Sequence, residues 1–148
     1  MGILPPQFDD VAAHLAPCLE GLPGHLIAID GRMGAGKSTL GRFLAWHFNV
    51  SLVETDPFLL GDGSLGRRVD ENSRIVASRL DRAFPRTVLL EGVAILELLE
   101  QLQRTAQALV YVENTSNPVV PSEAVLEYER RFDPIQKAAF MVRLSHEG

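Results

Sequence analysis

The sequence predicts an α/β domain with three layers, a mostly parallel sheet of four or five strands flanked by helices. Two observations carry this. Short apolar runs of the kind a strand buried on both faces needs recur at "HLIAID", "VSLVETD", "RTVLLEGV" and "ALVYVEN". Segments with helical apolar spacing fall between them, and such alternation implies a parallel sheet with right-handed crossovers. At 148 residues the chain is most economically one domain, 1–148, with an N-terminal helix and linker over 1–23 and a helical C-terminal region over about 115–148.

The elements follow in order. Phe8, Val11, Ala12, Leu15 and Leu19 recur at helical spacing, so residues 7–16 or slightly beyond read as an amphipathic helix, ended by Pro17 and "GLPG". "HLIAID" is the first strand. After a glycine-rich turn, Leu40, Phe43, Leu44 and His47/Phe48 fall on one helical face; Phe43, Trp46 and Phe48 read as packing. Residues 50–56 form the second strand, 57–70 a loop with three glycines, and 70–83 a helix with Asp70 and Glu71 suited to its first turn. A third strand, 86–93, leads into the helix "AILELLEQL", and 108–114 is the fourth strand. Pro118 and Pro121 punctuate the next connection. Ser122 caps a helix to about Phe132, and Asp133-Pro134 with Gln136 starts another. "KAAFMVRLSHEG" reads as a helix and a frayed end, so no fifth strand is found.

Composition excludes several functions. A net charge of −5 gives no broad basic field for a polyanion, which argues against nucleic-acid binding by counterion release. Cys18 is the only cysteine, so an internal disulfide or multi-cysteine metal site is excluded and a reducing compartment is expected. His14, His25, His47 and His146 lack metal-ligand spacing. No signal peptide, myristoylation signal or membrane-length apolar run is present, so a cytoplasmic protein without membrane attachment is expected. A homo-oligomer is compatible with these residues, but none of them specifies one.

The turn after the first strand carries the chemistry. Gly31-Arg32-Met33-Gly34-Ala35-Gly36-Lys37-Ser38 places two glycines four residues apart, then Lys and Ser. Glycines let the backbone wrap a phosphate with its N–H groups inward, and the following helix aims its positive end at the same anion. Lys37 reaches the β- and γ-phosphates, Ser38 puts its hydroxyl on Mg²⁺, and Thr39 suits a more proximal phosphate. The motif lies between a strand and a helix, the context that marks a phosphate-binding loop (P-loop) and an NTPase-type fold. Ligands of such sheets bind beyond the carboxyl ends of the strands, where Asp30, Glu54, Asp56 and Glu91 are expected. Glu54 and Asp56, two apart, should share a face.

"IAIDGRMGAGKSTL", "VETDPF" and "VLLEGV", in this order over about residues 24–114, resemble the P-loop nucleoside and small-molecule kinases, most closely the uridine-kinase-like branch. The resemblance implies ATP and Mg²⁺, with γ-phosphate transfer to a hydroxyl of a small metabolite. It implies Asp56 at the acceptor hydroxyl, Glu91 beside Ser38 at the metal, and Asp30 near the metal's water shell. Arg130 and Arg131 occupy roughly the place of a lid, with Arg131 the candidate for charge stabilisation. Arg67, Arg68 and Arg74 could bind the acceptor, Arg74 foremost. The expected partners are a nucleotide and a small-molecule acceptor. The alternative is a regulatory or remnant module that binds nucleotide without transfer and signals through the glycine-bearing loop at 61–66; the unfound fifth strand favours it. A GTPase is disfavoured because no Asn-Lys-x-Asp motif occurs.

Overall fold

A computed structural model describes residues 7–19, 24–56, 67–116 and 120–144 of the chain. Five strands, β1 (Leu26–Gly31), β2 (Ser51–Glu54), β3 (Val88–Glu91), β4 (Ala108–Asn114) and β5 (Phe140–Leu144), form one parallel sheet in the order β2-β3-β1-β4-β5. The helices are α1 (Gln7–Leu19), α2 (Lys37–Phe48), α3 (Val69–Leu80), α4 (Ile95–Leu102), α5 (Glu123–Phe132) and the one-turn α6 (Pro134–Lys137).

Alternation along the strands supplies two cores, one for each face of the sheet. Ile27, Ile29, Leu89, Val110 and Val112 pack in one core with α1 and α2. Leu26, Ala28, Val88, Leu90 and Leu109 pack in the other with residues of α3 and α4. Helix α5 adds Tyr128 and Phe132, which pack with Ala94 and Leu96 at the start of α4.

The main departure from the sequence reading is β5. Residues 140–144, expected as part of a helix, pair with β4 in parallel, from Val110↔Phe140 to Asn114↔Leu144. Val142 and Leu144 bury in the α1/α2 core while Arg143 between them is exposed, a period of two. Helix α1 supplies the cover that makes this position in the sheet apolar. The His14 ring packs at a tilt against Phe140, centroids 4.9 Å apart, and Gln7 Nε2 donates to the Arg143 carbonyl at 3.2 Å. Among the described residues beyond 115, the helical ones are therefore those of α5 and the four residues of α6.

Pro17 does not end α1; the helix runs on to Leu19. An interior proline removes one hydrogen bond and costs about 3 kcal/mol. Leu15 and Leu19 are buried in the core, and burying each contributes roughly 1.5–3 kcal/mol, enough to hold the last turn. Trp46 does not pack as expected. It is 78% exposed, one turn beyond the exposed Arg42, whereas Phe43 is buried and Phe48 half-buried. Strands β2 and β3 are shorter than the runs that announced them, and α3 ends at Leu80 rather than 83. Strand β4 has its expected bounds. Ser122 caps α5, its Oγ accepting from Val125 N at 3.3 Å. Most of the loop read at 57–70, Pro118 and the tail after Leu144 lie outside the described residues.

Candidate active site

Strand β1 ends at Gly31 and α2 begins at Lys37, so the glycine-rich turn joins a central strand to the N-terminus of a helix. Gly36 has φ 106°, a left-handed value that favours glycine, and a Cβ there would lie 2.8 Å from Leu144 Cδ1 of β5. No side chain caps the N-terminus of α2. Its leading N–H groups therefore have no side-chain acceptor, which leaves them for an anion. Lys37 is buried, and its Nζ donates to the Arg32 carbonyl at 2.9 Å. Burial lowers the Lys37 pKa, while Asp56, Glu91 and Asp30 act to raise it. Ala35 N also donates to the Arg32 carbonyl, at 3.2 Å.

Two carboxylates, Glu91 and Asp56, meet this turn from the neighbouring strands. Glu91 ends β3, beside Ile29 of β1 and Glu54 of β2. Ser38 Oγ donates to Glu91 Oε2 at 2.8 Å. Burial raises the Glu91 pKa, the Ser38 hydrogen bond opposes this, and Asp56 adds to the rise. Asp56 lies just past β2, where its Oδ1 accepts from Val93 N at 3.0 Å. Arg67 NH2 approaches the same oxygen at 3.5 Å, with its side chain only 1% exposed. Among the described residues, Arg67 Nε has no hydrogen-bond partner, and NH2 has none besides this long contact with Asp56.

The spacing of these groups is set by a tight backbone crossing. Thr55 N and Oγ1 both donate to the Glu91 carbonyl, each at 2.9 Å. A Cβ on Gly92 would lie 2.0 Å from Thr55 Oγ1 and 2.9 Å from Asp56 Oδ1. Only glycine admits this approach, and the approach brings Asp56 beside the residues that follow Glu91.

Other expected residues go elsewhere. Glu54 forms an ion pair with Arg42 of α2 at 2.8 Å. Because β2 stops at Glu54, strand alternation no longer governs Asp56, and the two acids have different partners. Asp30 is not on an open rim; it is 1% exposed. Its Oδ2 accepts from Tyr128 Oη at 2.6 Å, and its Oδ1 from Gly31 N at 2.8 Å. Burial raises the Asp30 pKa to about 6 against these lowering contacts. Arg131 donates to Glu100 at 3.0 Å and lies 4.9 Å over the Phe132 ring, so α4 and its own neighbour engage it rather than the glycine-rich turn. Arg130 pairs with Glu127 one turn away at 2.7 Å. Arg74 is exposed on α3, and Met33 and Thr39 are exposed beside the turn. Thr55 and Tyr128 were not among the expected site residues; nothing local marks them, since each acts through a distant partner.

The Ser38 hydroxyl and the Glu91 carboxylate are hard oxygen donors, of the kind Mg²⁺ takes from a protein in ones or twos while keeping water and phosphate oxygens. No cluster of three or more His, Cys, Asp or Glu able to hold a metal occurs among the described residues.

The architecture matches that of known proteins. A protein described as a possible uridine kinase from Bacillus stearothermophilus superposes with a TM-score of 0.63, covering 92% of this chain and 97% of that one at 14% identity. The chain shares the fold of that protein. Shikimate kinase from Acinetobacter baumannii, in complex with shikimate, superposes with a TM-score of 0.50 at 15% identity, covering 93% of this chain and 89% of that one. In sequence, a shikimate kinase of Paramagnetospirillum magneticum is 47% identical over 47 residues, which span 32% of this chain and 24% of that protein. No protein-family model matches the chain. Among the described residues, no helix is long and apolar enough to cross a membrane.

Proposed function

We propose that this protein is a small-molecule kinase that moves the γ-phosphoryl group of ATP to a hydroxyl of a small metabolite. The observation that carries the proposal is the convergence on one turn of Lys37, the Ser38–Glu91 pair and the Asp56–Arg67 pair. Phosphoryl transfer asks little of a protein beyond positioning and charge stabilisation, and these groups match that demand. Backbone N–H groups of residues 31–39 cradle the phosphates, and Lys37 leaves the Arg32 carbonyl to meet them. Ser38 and Glu91 hold Mg²⁺, which when bound neutralises charge on the phosphate oxygens. Asp56 aligns the acceptor hydroxyl and takes its proton as the oxygen attacks the γ-phosphorus in line, while the bond from that phosphorus to the bridging oxygen breaks and ADP leaves.

Arg67 takes the acceptor-binding role in preference to Arg74. Its buried guanidinium has Nε without a partner among the described residues and NH2 only loosely engaged by Asp56, the carboxylate assigned to the acceptor. A buried donor left open is costly, and an acceptor oxygen would relieve it. Hydroxy acids are accordingly the first acceptors to test, ahead of neutral nucleosides and sugars. Arg131 receives no part in the transfer, because Glu100 engages it. The fifth strand, whose apparent absence favoured the non-catalytic alternative, is present as β5.

The test is ADP release from Mg-ATP with hydroxy acids, nucleosides and sugars supplied one at a time. Turnover that depends on one acceptor class supports the proposal. Tight ATP binding with no acceptor dependence in any class would leave only a nucleotide-binding module.

A further inference from the structure

Two consecutive residues of α5 grip the two residues that flank Gly31. Tyr128 Oη donates to Asp30 Oδ2 at 2.6 Å, just before the glycine, and accepts from Leu96 N at 3.2 Å. Glu129 takes both ends of the Arg32 guanidinium, just after the glycine. Arg32 Nε donates to Glu129 Oε2 and Arg32 NH2 to Glu129 Oε1, each at 2.9 Å. Bidentate pairs of this kind fix direction as well as distance. The Arg32 backbone carbonyl in turn holds Lys37 Nζ and Ala35 N. A continuous path therefore runs from α5, through Arg32, to the lysine and the backbone of the glycine-rich turn.

We infer that Tyr128 and Glu129 are positioning residues that hold the phosphate loop in its binding shape before the nucleotide arrives. The loop contains Gly31, Gly34 and Gly36, and glycine loses more freedom on ordering than any other residue. A loop ordered in advance by α5 spares the bound state that cost, which appears as tighter phosphate binding. Neither residue reaches the nucleotide in this scheme; each acts through a residue beside Gly31. The buried Tyr128 hydroxyl supplies the pivot and the half-buried Glu129 the clamp. This inference rests on the reading of residues 31–39 as a nucleotide-phosphate site, and its test is built to fail separately.

The test uses Glu129→Ala, Arg32→Ala, the double variant and Tyr128→Phe in the full chain. Amide hydrogen exchange over residues 32–36, measured without nucleotide, should quicken in Glu129→Ala and Tyr128→Phe while the amides of β1 and β4 stay protected. Calorimetry with Mg-ADP should show Glu129→Ala binding about fivefold more weakly than wild type, and no further loss on adding it to Arg32→Ala. Unchanged exchange of the loop amides would overturn the inference even if Mg-ADP did not bind at all. It would also be overturned by undiminished Mg-ADP affinity in Glu129→Ala, since the carboxylate would then compete with phosphate for Arg32. An equal loss in the Arg32→Ala background would show that Glu129 acts by another route and would overturn it too. Should Glu129→Ala not fold, Glu129→Gln, which keeps one acceptor for Arg32, should give an exchange rate between wild type and Tyr128→Phe; a rate equal to wild type counts against the clamp.

Discussion

Ser38 Oγ donates a 2.8 Å hydrogen bond to Glu91 Oε2, joining the first turn of α2 to the end of β3. The two residues are far apart in sequence, and the sheet order brings them together because β3 lies beside β1. The bond holds the carboxylate of a buried glutamate against the helix that starts the phosphate loop's far side. Replacing Glu91 with Gln keeps the shape and removes the charge. We expect the Mg²⁺ concentration that half-saturates ADP release to rise by about 10- to 100-fold, in line with losses of metal-site partners elsewhere. Initial rates against Mg²⁺ concentration measure it; an unshifted curve would remove Glu91 from the metal site.

Gly92 offers a test of the crossing that sets the position of Asp56. Alanine there would put a methyl group 2.0 Å from Thr55 Oγ1. The strands must shift or the fold must lose stability, typically by about 1–3 kcal/mol for overpacking. Urea denaturation should show this loss, and Thr55→Ala should relieve part of it in the double variant. Additive losses would mean that the contact is not what excludes a side chain at 92.

Asp30 gives a pH signature. Burial raises its carboxyl from 3.8 to about 6 in the folded protein, so the folded state holds that proton more tightly than the unfolded state. The stability this adds is fully present below the unfolded pKa and is lost as pH rises through about 6. Relative to Asp30→Asn, wild type should therefore lose about 3 kcal/mol of stability between pH 3.5 and 7.5. Urea midpoints of both proteins across that range measure it. A constant difference between them would show that Asp30 ionises as an ordinary surface acid.

Lys37→Ala tests the loop itself. The variant removes a buried cation whose Nζ is held at the Arg32 carbonyl, with no demand on the sheet. Mg-ADP affinity should fall by about 10- to 100-fold, the worth of one charged hydrogen bond, in a protein with unchanged secondary structure. Equal affinity by calorimetry would mean that the phosphates sit elsewhere.

Much of this was legible in the residues, for identifiable reasons. The glycine-rich turn announced itself because its demands are local: backbone freedom, a lysine and a hydroxyl within eight residues. The bounds of β4 were legible because the whole of "ALVYVEN" is apolar until its last two residues. Strand β5 was not, because five residues carry only Phe140, Val142 and Leu144 as alternating signal, and the apolar Met141 blurs it. What decides the matter is tertiary, the cover that α1 gives to β5 from the other end of the chain. The same holds for Arg32 and Glu129, 97 residues apart, and for Thr55 against Gly92. Arg67 and Arg74 look alike in sequence; burial beside Asp56 separates them. Trp46 misled because aromatic residues in a helix usually pack, and only its angular position on α2 shows otherwise.

The most direct measurement is acceptor-dependent ADP formation in Asp56→Asn, set beside its ATP affinity. The substitution keeps an oxygen for Val93 N and removes the charge that faces Arg67 and that the proposed transfer requires at the acceptor. We expect the acceptor-dependent rate to fall by about 10²- to 10⁴-fold, as for loss of a positioned base, with ATP affinity within about twofold of wild type. A rate that survives the substitution, or one that falls only because ATP no longer binds, would contradict it.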